Sequence, residues 1–247
     1  MRISLAKIAA GCLLLTVLVF QSCKKEVNSR VITQSNFNNM AFVQVYNGTL
    51  NSTRNYVLVD AANVTGAALA YAGTFPSTQT NFALTAGFRE FVIKDTLSTS
   101  TQPQMVFAET FQAGTYYTVF MYDTLTAPKQ KTVVNEIVIP DDTTARVRFA
   151  NFIHSATAVP AVDIFSLKRN SNVFTNVQRT EVTGFLPYAS ALNDTLYVRE
   201  TGTSNLLATL NGFNPTRKRS YTLVFRGRYQ TTGTTGVARL LSSFANN

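Results

Sequence analysis

Tryptophan is absent from the 247 residues, histidine occurs once (His154) and cysteine twice (Cys12 and Cys23). So few imidazoles and thiols leave no material for a zinc cluster, an iron–sulfur site or a Cys/His nucleophile pair, and no metal or cofactor is implied. There is no G-x-S-x-G elbow, no phosphate-cradling glycine loop and no H-E-x-x-H pair. Charge is also scarce: 14% of residues are charged and only 13 are acidic, too few for salt-bridged helical faces. What fills the chain is Thr (34) and Asn (20) on a 45% hydrophobic background, a composition of strands and turns. The predicted fold class is all-β, long enough for two domains of about 100 residues.

The N-terminus reads as an export signal. Arg2 and Lys7 precede an apolar run from Ile8 to Phe20, shorter than the roughly 20 residues that span a bilayer. The run ends in Phe20-Gln21-Ser22-Cys23-Lys24, which resembles the lipobox of a bacterial lipoprotein, with Phe20 where Leu is usual. The expectation is a signal peptide over 1–22, acylation of Cys23, and anchoring to the membrane by the acyl chains. Because Cys12 leaves with the signal and Cys23 is modified, no thiol remains for a disulfide, and the folded part must rest on core packing. The polar stretch to residue 40 is predicted to be a flexible tether over 23–40.

Beyond residue 40 the chain repeats itself at an offset of about 104 residues. Ala41-Phe42-Val43-Gln44-Val45 matches Ala145-Arg146-Val147-Arg148-Phe149; Phe91 to Thr96 matches Leu196 to Thr201; Tyr117-Thr118-Val119-Phe120 matches Tyr221-Thr222-Leu223-Val224. Each copy divides into about seven runs of β-branched and aromatic residues. In copy 1 (41–142) they fall near 41–46, 56–60, 80–84, 89–95, 105–111, 116–122 and 133–139. In copy 2 (143–247) they fall near 146–152, 162–167, 181–186, 195–200, 206–210, 220–226 and 237–244. Seven strands in 100 residues predict two tandem immunoglobulin-like β-sandwiches, with a small barrel giving similar spacing. Tyr116 to Tyr122 carries large residues on both faces, as a strand covered on each side would. The short turn Pro140-Asp141-Asp142-Thr143-Thr144 places the copies end to end.

Copy 2 opens with Arg146-Val147-Arg148-Phe149-Ala150-Asn151-Phe152-Ile153-His154-Ser155-Ala156, followed by Pro160-Ala161-Val162-Asp163-Ile164. Gly184-Phe185-Leu186-Pro187-Tyr188 and Ser220-Tyr221-Thr222-Leu223-Val224 come later. These stretches resemble the domain of unknown function family 4397, over about residues 41–247. Copy 1 is degenerate, keeping Ala86-Gly87 and Gly114 to Val119 without the His-Ser or Pro-Ala-Val-Asp segments. The resemblance implies tandem immunoglobulin-like modules on exported bacterial proteins and carries no catalytic residues with it.

Three groups of residues invite a functional reading. His154, Ser155 and Asp163 hold the side chains of a catalytic triad, but neighbours on a strand point to opposite faces and no oxyanion-hole sequence accompanies them. The expected role of His154 and Asp163 is to bond nearby backbone and fix a loop. Charge is uneven: residues 41–142 carry five basic and eight acidic groups, residues 143–247 twelve basic and four acidic. Arg217, Lys218, Arg219, Arg226 and Arg228 are the candidate polyanion site, the alternative being a solvated basic face or complementarity between the copies. Finally, Asp95-Thr96, Asp123-Thr124, Asp142-Thr143 and Asp194-Thr195 resemble an O-glycosylation sequon, with Thr96, Thr124, Thr143 and Thr195 as acceptors, although Asp-Thr is also good turn chemistry.

The function these features predict is non-enzymatic: a lipid-anchored module of a Gram-negative cell envelope, expected at the outer membrane, serving adhesion, glycan binding or assembly. Its expected partners are the membrane, through acyl chains, and an anionic surface glycan or another envelope protein. Nucleic acid is not expected, because the anchor holds the protein outside the cytoplasm. The alternatives are a glycan hydrolase using a carboxylate pair, which leaves no sequence signature, and a structural spacer. Recognition is expected on loops 151–159, 201–205 and 229–236.

Overall fold

A computed structural model describes residues 37–77, 80–136, 141–233 and 235–246. The predicted signal peptide, Cys23 and the tether up to residue 36 lie outside the described residues. Within them every regular element is a strand. The first half contains β1 (Met40–Asn47), β2 (Asn55–Val59), β3 (Ala62–Asn63), β4 (Thr74–Phe75), β5 (Phe82–Thr85), β6 (Gly87–Asp95), β7 (Met105–Phe111), β8 (Tyr116–Thr124) and β9 (Ala127–Val134). The second contains β10 (Ala145–Asn151), β11 (Val162–Ser166), β12 (Ser171–Val177), β13 (Leu186–Tyr188), β14 (Asp194–Glu200), β15 (Leu206–Phe213), β16 (Ser220–Arg226) and β17 (Leu240–Ala245).

These strands make two sandwiches of the same design. In the first, the sheet β4-β1-β8-β9, with β5 also on β1, packs on β3-β2-β6-β7; in the second, β13-β10-β16-β17 packs on β12-β11-β14-β15. The repeat seen in the sequence is a repeat of topology. The opening strand of each copy runs parallel to its late Tyr-Thr strand, Phe42 opposite Tyr116 and Arg146 opposite Ser220, all four related by the same offset. Even a fine detail recurs: the Tyr117 hydroxyl accepts from the Gln112 N–H (2.9 Å) and the Tyr221 hydroxyl from the Thr216 N–H (3.0 Å). The strand order departs from an immunoglobulin sandwich, whose first strand joins the second, fifth and fourth. In the second sandwich the first strand lies between the fourth and the seventh and an eighth closes the sheet; in the first sandwich it lies between the fourth and the eighth and a ninth closes it.

Burial patterns separate outer from inner sheets. β2 and β14 alternate buried and half-buried, as strands with one solvated face do. β1, β8, β10 and β16 are buried on both faces. Their second face is covered because the two inner sheets pack on each other. Tyr46, Phe120, Ala150, Phe152 and Val224 form a third core between the sandwiches, beside the two cores within them. The copies therefore meet face to face, correcting the end-to-end expectation: residues facing outward from each sandwich are too apolar to leave in water, and burying them is favourable at roughly 25 cal/mol per Å².

That interface also holds a buried polar layer made of equivalent positions from both copies. Thr118 exchanges hydrogen bonds with Asn135, and Thr222 donates to Asn246 (2.7 Å). Asn246 donates to Gln44 (3.1 Å), which donates to the Ala245 carbonyl (3.0 Å). Arg148, where copy 1 has Gln44, is only 1% exposed. Its guanidinium donates to Thr222 and Thr118 (2.9 Å each) and lies 4.7 Å from the Phe185 ring centroid. Burial pulls its pKa down to about 9, so it remains charged at neutral pH.

Candidate anion-binding surface

Among the described residues, three ion pairs form, Arg54–Asp95, Arg89–Asp60 and Lys129–Asp123, and His154 also meets Asp123; all of these carboxylates belong to copy 1. No arginine or lysine of copy 2 is in an ion pair among them. Copy 2's carboxylates are instead occupied by neutral donors. Asp163 accepts from Asn172, Thr201 and the N–H groups of Asn176 and Gly202. Asp194 accepts from Ser166, Tyr188 and the Lys168 and Thr195 N–H groups. Glu200 takes the Tyr229 hydroxyl and Glu181 the Gln178 N–H.

The arginines of copy 2 are held without neutralisation. Arg179 donates to the Ser155 carbonyl (2.6 Å), and Arg239 to the carbonyls of Leu207 and Tyr229 (2.8 Å each). Arg199 sits 3.9 Å from the Phe165 ring centroid, and Arg226 lies 4.9 Å over Tyr71. Carbonyls and ring faces fix a cation without cancelling its charge, so the second sandwich keeps a net positive field.

The five candidate basic residues do not form one patch. Arg217, Lys218 and Arg219 are exposed in the turn between β15 and β16, whereas Arg226, the last residue of β16, and Arg228 just beyond it are half-buried. A strand of that length separates them by about 20 Å. Arg226 is committed to Tyr71 and donates to Ser242 (3.1 Å). The turn itself is divided. Arg217 borders a hollow of about 440 Å³ with Thr143, Ser190 and Pro215. Arg219 borders a larger, open-sided cleft of about 710 Å³ with Thr74, Ser77, Ser243 and Phe244. Thr74 and Ser77 belong to copy 1, and no periodicity or motif in the sequence marks them as neighbours of Arg219.

The structure corrects the expected role of His154. Its Nδ1 bonds Asp123 of copy 1 at 2.8 Å, rather than nearby backbone. Burial acts to raise the Asp123 carboxyl, but Lys129 and His154 outweigh it and hold the carboxyl below the usual range. Ser155 bonds Gln230 and the Thr157 N–H; Asp163 accepts from Asn172 and the Asn176 N–H on β12 and from Thr201 and the Gly202 N–H in the β14–β15 turn, and not from the loop before β11 that it was expected to fix. The loop 151–159 is a presenting loop only in its second half, since Asn151, Phe152, Ile153 and Ser155 are buried.

Of the four sequon threonines, Thr143 is exposed and Thr96, Thr124 and Thr195 are half-buried. Thr96 borders a polar hollow of about 280 Å³ with Tyr56, Lys94 and Gln102. Two of the sequon aspartates act locally: Asp95 accepts from the Leu97 N–H (2.9 Å) and Asp142 from the Thr144 N–H (2.8 Å), both turn-forming bonds. Among the described residues no three His, Cys, Asp or Glu side chains gather to hold a metal. No protein-family model matches the chain, and no curated protein is significantly similar to it.

Proposed function

We propose that this chain is a non-enzymatic, lipid-anchored module of a Gram-negative cell envelope, held at the outer membrane through Cys23, that binds an anionic surface glycan on its second sandwich. One observation carries the reading: among the described residues none of the twelve basic residues of copy 2 forms an ion pair with a carboxylate, while the carboxylates of copy 2 accept from neutral donors. A stable fold with spare cations attracts an anionic polymer at long range and holds it through Arg forks. The resemblance to tandem modules of exported proteins supports the location and assigns no chemistry. O-glycosylation, if the protein carries it, is best served by exposed Thr143.

The test is binding of residues 37–247, which contain all three apolar cores, to acidic and neutral polysaccharides at 20 and 300 mM salt. Binding to the acidic polymers that weakens at high salt is the expected result. Binding that ignores charge and salt, or none to any acidic polymer, overturns the proposal.

A further inference from the structure

The face-to-face packing of two equivalent sheets produces two seams between the sandwiches, and they differ. One is sealed: Lys131 donates to the Thr180 carbonyl (2.8 Å), Val133 and Val182 join the interface core, and Asp123 meets His154. Only about 30 Å³ remains open there, beside Tyr122 and Arg179. The other seam runs between the edge strands β4 and β17. It is closed at one end by Arg226 over Tyr71 and opens at the other into the cleft of about 710 Å³.

Seams between equivalent faces have no built-in reason to differ, so the open one is where lining chemistry is informative. Hydroxyls of Thr74 and Ser77 stand on the copy 1 side. Ser243, Phe244 and exposed Arg219 stand on the copy 2 side, and among the described residues no carboxylate lines the cleft. Phe244 is itself fixed, stacked on Tyr46 with ring centroids 5.2 Å apart. A single fork-shaped cation, several hydroxyls and a rigid aromatic edge match the groups of a sugar acid or sugar phosphate: an anion for Arg219, hydroxyls for the Thr and Ser side chains, an apolar ring face for Phe244. The volume lies within the roughly 300–1,000 Å³ of small-molecule sites and admits one or two sugar rings.

We infer that this cleft, built jointly by both sandwiches, is the seat for an acidic saccharide unit. The inference rests on the proposed function and adds to it a location that neither copy could supply alone. Arg219, and not the neighbouring Arg217 and Lys218, is then the residue that reads the anion.

Calorimetric titration of residues 37–247 with trigalacturonate, its neutral methyl ester and mannose 6-phosphate tests this. Trigalacturonate or the sugar phosphate binds, which identifies carboxylate or phosphate as the anion, and the ester does not. Arg219→Ala weakens that binding by about tenfold or more, as loss of a charged hydrogen bond does. Ser243→Trp, at an exposed edge position, fills the cleft and abolishes binding with the circular dichroism spectrum unchanged. The paired change Arg217→Ala and Lys218→Ala leaves affinity within about twofold. If Arg219→Ala and Ser243→Trp bind as the parent does, the cleft is wrong while the basic sandwich still stands. If the parent binds acidic polysaccharide but neither small acid, the cleft is again wrong. If it binds no acidic glycan of any size, both readings fall.

Discussion

Arg148 sets the tone at the residue scale, because a buried cation with no carboxylate beside it is costly and must be held by something else. Here that is two threonine hydroxyls and a phenylalanine face. Both hydroxyls have further partners, Asn135 for Thr118 and Asn246 for Thr222, so they need not lose all their bonds if the guanidinium goes. Arg148→Met, which keeps volume and removes the charge, is therefore expected to change stability by less than about 2 kcal/mol in either direction. Arg148→Ala leaves a cavity and is expected to destabilise by about 2–4 kcal/mol; urea unfolding of the two variants separates charge from packing. Asp194 is the opposite case, a buried carboxylate satisfied by neutral donors. Burial pushes its carboxyl up, but Ser166, Tyr188 and two backbone N–H groups outweigh that and hold it below the usual range. A depressed folded-state pKa stabilises above the unfolded value of about 3.9 and is lost as pH falls through the folded value. Asp194→Asn should be less stable at pH 7, and should lose less stability than the parent between pH 5 and pH 2 in the same urea series.

At the scale of elements, the connection after β16 is held by close backbone contact. Gly227 has φ +98°, and a Cβ built there would lie 2.1 Å from the Ala238 carbonyl oxygen. The neighbouring His154 N–H also donates to the Gly227 carbonyl (2.8 Å). Gly227→Ala is therefore expected to destabilise by more than about 2 kcal/mol, through strain and a displaced backbone, as thermal unfolding would report. The elements that sequence reasoning misplaced are edge strands. β12 (Ser171–Val177) is polar and passed unnoticed; β9 begins at Ala127, ahead of the apolar run expected near 133–139, and carries Pro128, Lys129 and Lys131. Charges and proline belong on edges, where they hinder pairing with other chains, and they erase the alternation by which strands are recognised.

For the whole molecule, the two sandwiches share a core and a hydrogen-bonded layer, which couples their stabilities. Residues 37–247 are expected to unfold in a single calorimetric transition whose van't Hoff and calorimetric enthalpies agree. Phe120 packs against Phe152 with ring centroids 4.9 Å apart, at the centre of that shared core. Phe120→Ala should lower stability by about 3–5 kcal/mol and split the transition in two. A parent protein that already shows two transitions would mean that the interface is too weak to keep the cleft in shape.

Amino-acid order alone specifies the all-β class, the internal repeat with its offset, and the central strands. Tyr117 to Phe120 advertises burial on both faces because side-chain period and hydrophobicity are local properties. The sequence also specifies the charge division between the copies, since counting needs no coordinates. Tertiary structure alone decided that the copies meet face to face, that His154 pairs with Asp123, and that Arg226 is spent on Tyr71. It alone placed Arg219 across from Thr74 and Ser77. Those partners lie some 30 to 150 residues apart in the chain, and no local pattern records a contact between them. Which sheet face meets which, and which seam stays open, follows from how well two surfaces fit, a property of the folded sandwiches and not of any segment.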